Sequence, residues 1–158
     1  HLGIELDPLK MTDVERAELK EWIALHKSRR HILHGLGAPV ITRPVSDGRY
    51  VSGVGLRDDD LEADAPSEHF ILAVAQGPQT LQEQPRPLTL FVNDPEALYT
   101  VTLLGPAQPP FIRPHPAQLD ILSGRVPVAG QLIADVGINI PQMYPESAIL
   151  LEIKTVRD

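Results

Sequence analysis

The sequence of 158 residues contains no cysteine, which excludes disulfides, thiolate metal sites and cysteine nucleophiles. Aromatics are scarce, with three Phe, three Tyr and one Trp. No run of about 18 apolar residues is present to form a transmembrane helix. Basic residues are outnumbered, with 14 Lys and Arg against 21 Asp and Glu and a net charge of −7. Phosphate backbones are bound by clustered Lys and Arg, so neither nucleic acid nor membrane is expected as a partner. No block of like charge exceeds Asp58-Asp59-Asp60, which argues against an acidic tail. The G-x-S-x-G elbow, the P-loop and the G-x-G-x-x-G fingerprint are also missing. The amino-terminal HLGIELDPLK lacks the basic and apolar regions of a signal peptide. It reads as a continuation from an upstream segment, in a protein expected in the cytoplasm.

What is there describes a globular chain: 42% apolar and 22% charged residues, with sixteen Pro and eleven Gly. That many turn-formers imply numerous short elements. One long helix stands out. Thr12-Asp13-Val14-Glu15 has the S/T-x-x-E form of a capping box, in which each side chain satisfies a free amide of the first turn. Asp13, Glu15 and Glu18 sit at one end and Lys27, Arg29, Arg30 and His31 at the other, matching the helix dipole. Leu19, Trp22, Ile23, His26, Arg30 and Leu33 recur at helical spacing, with Leu25 and Ile32 widening the stripe. Gly35 is positioned as the left-handed stop. The spacing predicts a helix of about 22 residues, roughly 33 Å long.

Beyond Gly37 the pattern is one of strands and turns. Strands are expected at Pro39–Thr42, Tyr50–Leu56, His69–Ala75, Leu88–Val92, Tyr99–Leu104 and Ile149–Thr155. Ser46-Asp47-Gly48 and Asn93-Asp94-Pro95 read as turns, the second joining two strands that pair. Asp58–Ser67 and Gln76–Pro87 read as loops, and the prolines of Gln108–Pro116 exclude a central strand. Gly130–Val136 fits a helical turn or a short strand. Gly53-Val54-Gly55 suggests a bulge. The expected fold is mainly β: an antiparallel β-sandwich preceded by one long α-helix.

Candidate chemistry is thin. His26, His31 and His34 share the helix without a nearby carboxylate, and a metal site needs three or four converging ligands. Glycosidases use two carboxyl groups about 5–9 Å apart. Glu5 with Asp7, and Asp58-Asp59-Asp60 with Glu62 and Asp64, are acidic clusters without the apolar shielding that makes one member an acid. Trp22, Phe70 and Phe91 fall on apolar stripes or in strands and read as core, leaving few residues for an exposed sugar platform. No catalytic, cofactor-binding or metal-ligating residue is assigned, and no cofactor is expected.

Several segments resemble one family. His1-Leu2-Gly3-Ile4-Glu5 is similar to the G-H-x-G-I-E stretch of glycoside hydrolase family 36, and Thr12 to Gly35 resembles the helix that follows it. Asn93-Asp94-Pro95 with Tyr99 and Val101 resembles that family's L-D-P-x-x-x-Y-x-V segment. Gly137-Ile138-Asn139-Ile140-Pro141 and Pro145-Glu146-Ser147-Ala148 with Leu150-Leu151 resemble its closing pattern. Residues 42–67 and 106–118 depart from it, and Leu2 stands where the family more often has Met or Phe. The resemblance implies that residues 1–36 are the last loop and helix of a truncated (β/α)8 catalytic barrel. Residues 37–158 would then be the carboxy-terminal antiparallel β-sandwich domain. It further implies an α-galactosidase parent whose two catalytic aspartates lie upstream, so that neither maps onto this chain. The implied partners are the parent barrel, α-galactosides for the whole enzyme, and a second copy of the chain through the exposed helix face. The alternative is a free-standing β-sandwich interaction or carbohydrate-binding module.

Overall fold

The computed structural model describes residues 7, 9–34, 38–40, 47–58, 67–78, 85–105 and 108–156. Helix α1 spans Asp13–Leu33 and starts where the capping box requires. The Thr12 amide donates to Glu15 Oε2 at 2.7 Å, and the Glu15 amide donates to Thr12 Oγ1 at 3.3 Å. At the far end the His34 amide donates to the Arg30 carbonyl. The expected stop at Gly35 lies outside the described residues.

The strands are β1 (Ala38–Pro39), β2 (Arg49–Asp58), β3 (Ser67–Gln76), β4 (Leu98–Leu104), β5 (Val128–Ala129) and β6 (Ala148–Thr155). Two short helices, α2 (Pro116–Leu122) and α3 (Gly130–Asp135), lie between β4 and β6. All six strands join one sheet in the order β1-β2-β3-β6-β4-β5, and every pairing is antiparallel. The carboxy-terminal strand therefore sits in the middle, paired on both sides. Its sequence, Ala-Ile-Leu-Leu-Glu-Ile-Lys-Thr, is accordingly apolar on both faces apart from Glu152, Lys154 and Thr155.

Alternation along the strands separates two faces. One carries Phe70, Leu72 and Val74 of β3, Tyr99 and Val101 of β4, and Ile149, Leu151 and Ile153 of β6. These pack with Leu88, Leu90, Leu122, Ile133, Ile138, Ile140 and Met143 in one core. The covering layer is built from α2, α3 and extended segments tied by the isolated bridges Leu88↔Ile138 and Phe111↔Met143. Among the described residues it forms no second sheet. The opposite face receives α1, through Trp22, Leu25, Arg29 and Leu33 against Val54, Ile71, Leu104 and Leu150.

Several expectations shift in detail. Leu88–Val92 is not a strand paired with β4: Leu88 bridges to Ile138, and the Leu90 amide reaches the Ile133 carbonyl. Asn93-Asp94-Pro95 does turn the chain, with Asp94 Oδ1 accepting from the amides of Glu96 and Ala97. Gly130–Val136 resolves as helix over Gly130–Asp135. Phe91 is 54% exposed and not core. Nor do Gly53 and Gly55 mark a bulge, since the β2–β3 register runs without a slip from Arg49↔Gln76 to Asp58↔Ser67. They clear space instead: a Cβ at Gly53 would lie 2.2 Å from Leu72 Cδ2, and one at Gly55 would lie 2.2 Å from Phe70 Cδ1. The stripe of α1 is rotated by about one position, with Arg29 half-buried and Arg30 exposed.

Candidate functional site

The chemistry-bearing residues of the described chain gather in three places. The first lies between α1 and the sheet. Glu152 pairs with Ile71 across the ladder and so faces α1 from the centre of the sheet. Arg29 descends from the helix and grips it with two parallel bonds, Nε to Oε1 at 3.0 Å and Nη2 to Oε2 at 3.1 Å. His69 Nε2 lies 2.8 Å from Oε1, and Lys154 Nζ lies 3.5 Å from Oε2. Burial alone would raise this carboxyl. The bonds from His69 and Arg29 and the charges of Lys154 and Arg29 outweigh it and bring the group down from 4.5 to about 2. A carboxylate so held is a clamp, with neither a proton to give nor a free oxygen to attack with.

Beside the clamp, Trp22, Leu25, Leu33, Ile71, Leu104 and Leu150 surround a mainly apolar cleft of about 270 Å³. His26 and His34, also on its wall, place their Nε2 atoms 2.9 Å apart. Of the three helix histidines, His31 turns away from this pair toward His69, with ring centroids 6.3 Å apart. No group of three metal-ligating side chains occurs among the described residues.

The second place is on the other face of the sheet. Glu68 is buried, and its Oε2 accepts from the Tyr99 hydroxyl at 2.6 Å and from the Asn93 amide at 3.0 Å. Burial, then the adjacent Glu68 carboxylate, push the Tyr99 hydroxyl well above the usual tyrosine range. A second ion pair at the end of β2 joins Asp47 to the buried Arg49, whose Nε lies 2.9 Å from Oδ2. Burial would raise Asp47, but the Arg49 guanidinium and the amides of Arg86 and Arg49 hold it below the ordinary carboxylate value.

Glu68 and Glu152 thus lie on opposite faces of the sheet, and neither can join the other across a glycosidic bond. Of the acidic clusters read from the sequence, Asp7 salt-bridges Lys10 and accepts from the Leu9 amide. Glu5 and Asp59 through Asp64 lie outside the described residues. Sequence reasoning missed Glu152, Arg29 and His69 as a group. The one available signal was a charged residue inside the apolar run of β6.

The third place is a polar cleft of about 350 Å³ beside α2, lined by Arg113, Gln118, Asn139 and Gln142 over Ile112, Ile140 and Pro141. The sequence marked Asn139, Ile140 and Pro141 only as part of the family-like segment Gly137–Pro141, and the others not at all. No helix among the described residues is long and apolar enough to cross a membrane. Compared with protein-family profiles and with curated protein sequences, the chain matches none.

Proposed function

We propose that the chain is the non-catalytic carboxy-terminal part of an α-galactosidase-type retaining glycoside hydrolase. In this reading residues 1 to about 36 close the catalytic barrel, and the rest forms a β domain that buttresses it. The observation that carries the proposal is the fit of α1 to its own sheet. The helix is anchored by Arg29 and Trp22, yet a cleft of about 270 Å³ remains beneath it. Leu19 and Ile23 stay only half-covered along its flank. A helix with more apolar surface than its sheet can bury suits an element shared with a neighbouring domain. Burial of that surplus would stabilise the joined enzyme at about 25 cal/mol per Å². The engagement of Glu68 and Glu152 in internal bonds on opposite faces is consistent with chemistry supplied from upstream.

The test is to clone the gene with whatever coding sequence precedes His1 and to assay 4-nitrophenyl α-galactoside. The extended protein should release nitrophenol with retained anomeric configuration, while the 158-residue chain does not exceed buffer. An extended protein that folds and leaves this substrate untouched overturns the proposal. A second reading, a free-standing carbohydrate-binding module, is favoured by the exposure of Tyr50 at 71%, Tyr144 at 56% and Phe91 at 54%. Titration of the chain with galactose separates the two, because only a binding module takes up sugar on these rings.

A further inference from the structure

We infer that the polar cleft beside α2 is a binding site for a small polyhydroxylated carboxylate, a ligand of the sugar-acid class. The inference is independent of whether the chain belongs to a glycosidase. Its walls are fixed by the fold. The Ile112 amide donates to the Gln142 carbonyl at 2.7 Å, and the Tyr144 amide to the Pro110 carbonyl at 2.9 Å. Phe111 and Met143, paired in the bridge between these segments, are both buried. The segment that delivers Arg113 is thereby fastened to the one that delivers Gln142. Arg113 has φ +48, a left-handed conformation that a residue with a Cβ adopts only when its surroundings enforce it. This turn places Arg113 on the wall of the cleft.

The other side chains complement it. Gln118 is locked by α2: its Oε1 accepts from the His115 amide at 2.9 Å, which leaves its NH2 as the uncommitted end. Asn139 is exposed between buried Ile138 and Ile140, and its side chain makes no bond among the described residues. Gln142 is half-buried on the same wall. The Gln118 NH2 donates and the Asn139 carboxamide both donates and accepts, which matches these two to hydroxyl groups. Among the described residues the lining holds one cation and no carboxylate, in a chain whose net charge is −7. A guanidinium fork favours a carboxylate in two parallel bonds. Ile112, Ile140 and Pro141 supply the apolar floor on which carbon-bound hydrogens rest.

The probe is D-glucuronate, titrated into the labelled chain and followed by amide chemical shifts, with D-glucose and acetate as controls. Saturable shifts confined to residues 112–118 and 139–142 are expected with glucuronate. Glucose, lacking the carboxylate, and acetate, lacking the hydroxyls, should each bind at least about tenfold more weakly. Arg113→Gln should lose at least about tenfold in affinity by the same reasoning. Arg113→Gly gives the separating readout: it relieves the left-handed backbone, so the melting temperature rises, yet binding is lost. Asn139→Ala weakens binding without altering the melt. Absence of shifts up to about 10 mM glucuronate, far weaker than a site of this kind should bind, overturns the inference. So does equal affinity for glucose or acetate, or full affinity in Arg113→Gln.

Discussion

Glu152 matters at the scale of single residues because it joins two elements distant in sequence. Replacing it with glutamine keeps the shape but leaves Arg29 and His69 without their shared anion, at a cost of about 2 kcal/mol. The effect depends on pH in a definite direction. The folded carboxyl titrates at about 2, below its ordinary 4.5, so the folded state holds fewer protons across that interval. The stabilisation is therefore complete above about pH 5 and lost as pH falls toward 2, amounting to about 3 kcal/mol at most. Urea unfolding at stepped pH should show a steeper acid decline in the wild type than in Glu152→Gln. Equal slopes would mean that the ion pairs add nothing to stability. Gly53 makes a second residue-scale case. Alanine there meets the Leu72 side chain at 2.2 Å and the Ile71 carbonyl oxygen at 2.8 Å. The backbone oxygen cannot step aside, so Gly53→Ala should cost about 2–3 kcal/mol, read as a lower urea midpoint at unchanged slope. Neither residue was legible in advance. A glycine pair in a strand signals that something approaches closely, but not what, and the same composition fits a bulge.

Elements were far easier to read, and the reason lies in where the information resides. Helix α1 carries its start signal within four residues, Thr12 to Glu15, and both bonds of the capping box form. Thr12→Ala should therefore cost about 1 kcal/mol, measured by urea unfolding followed at a helical wavelength. A change confined to helix fraying, with no loss of global stability, would show that α1 unfolds apart from the sheet. Strands β2, β3, β4 and β6 were likewise visible as β-branched runs between turn residues, and each extends to or beyond the expected limits. Leu88–Val92 misled because its apolar side chains enter the core without a continuous backbone partner. Composition reports burial there, whereas strand identity depends on which segment lies alongside. The rotation of the helix stripe has a similar origin. Arg29 turns inward because Glu152, 123 residues away, is waiting for it, and no local periodicity contains that fact.

At the scale of the whole molecule, the sheet is covered among the described residues by a packed layer of short elements on one face and by α1 on the other. The mainly β character was legible from the turn residues. That the covering layer pairs into no second sheet among the described residues was not, because a second layer of strands and one of bridged segments bury similar apolar residues. The helix side is the less complete, and Leu19 and Ile23 remain half-covered there. Two such side chains fall short of the roughly 1,000 Å² that a stable interface buries, so self-association should be weak, appearing near about 100 µM. The net charge of −7 opposes it, so added salt should strengthen the dimer by screening that repulsion. Ile23→Lys should abolish association while changing stability by less than about 0.5 kcal/mol, because the side chain is not in the folded core. Light scattering over a concentration series decides the matter. A wild type that stays monomeric at millimolar concentration means that this flank does not recruit a second copy. Association that weakens with salt would instead assign the contact to opposite charges elsewhere on the surface.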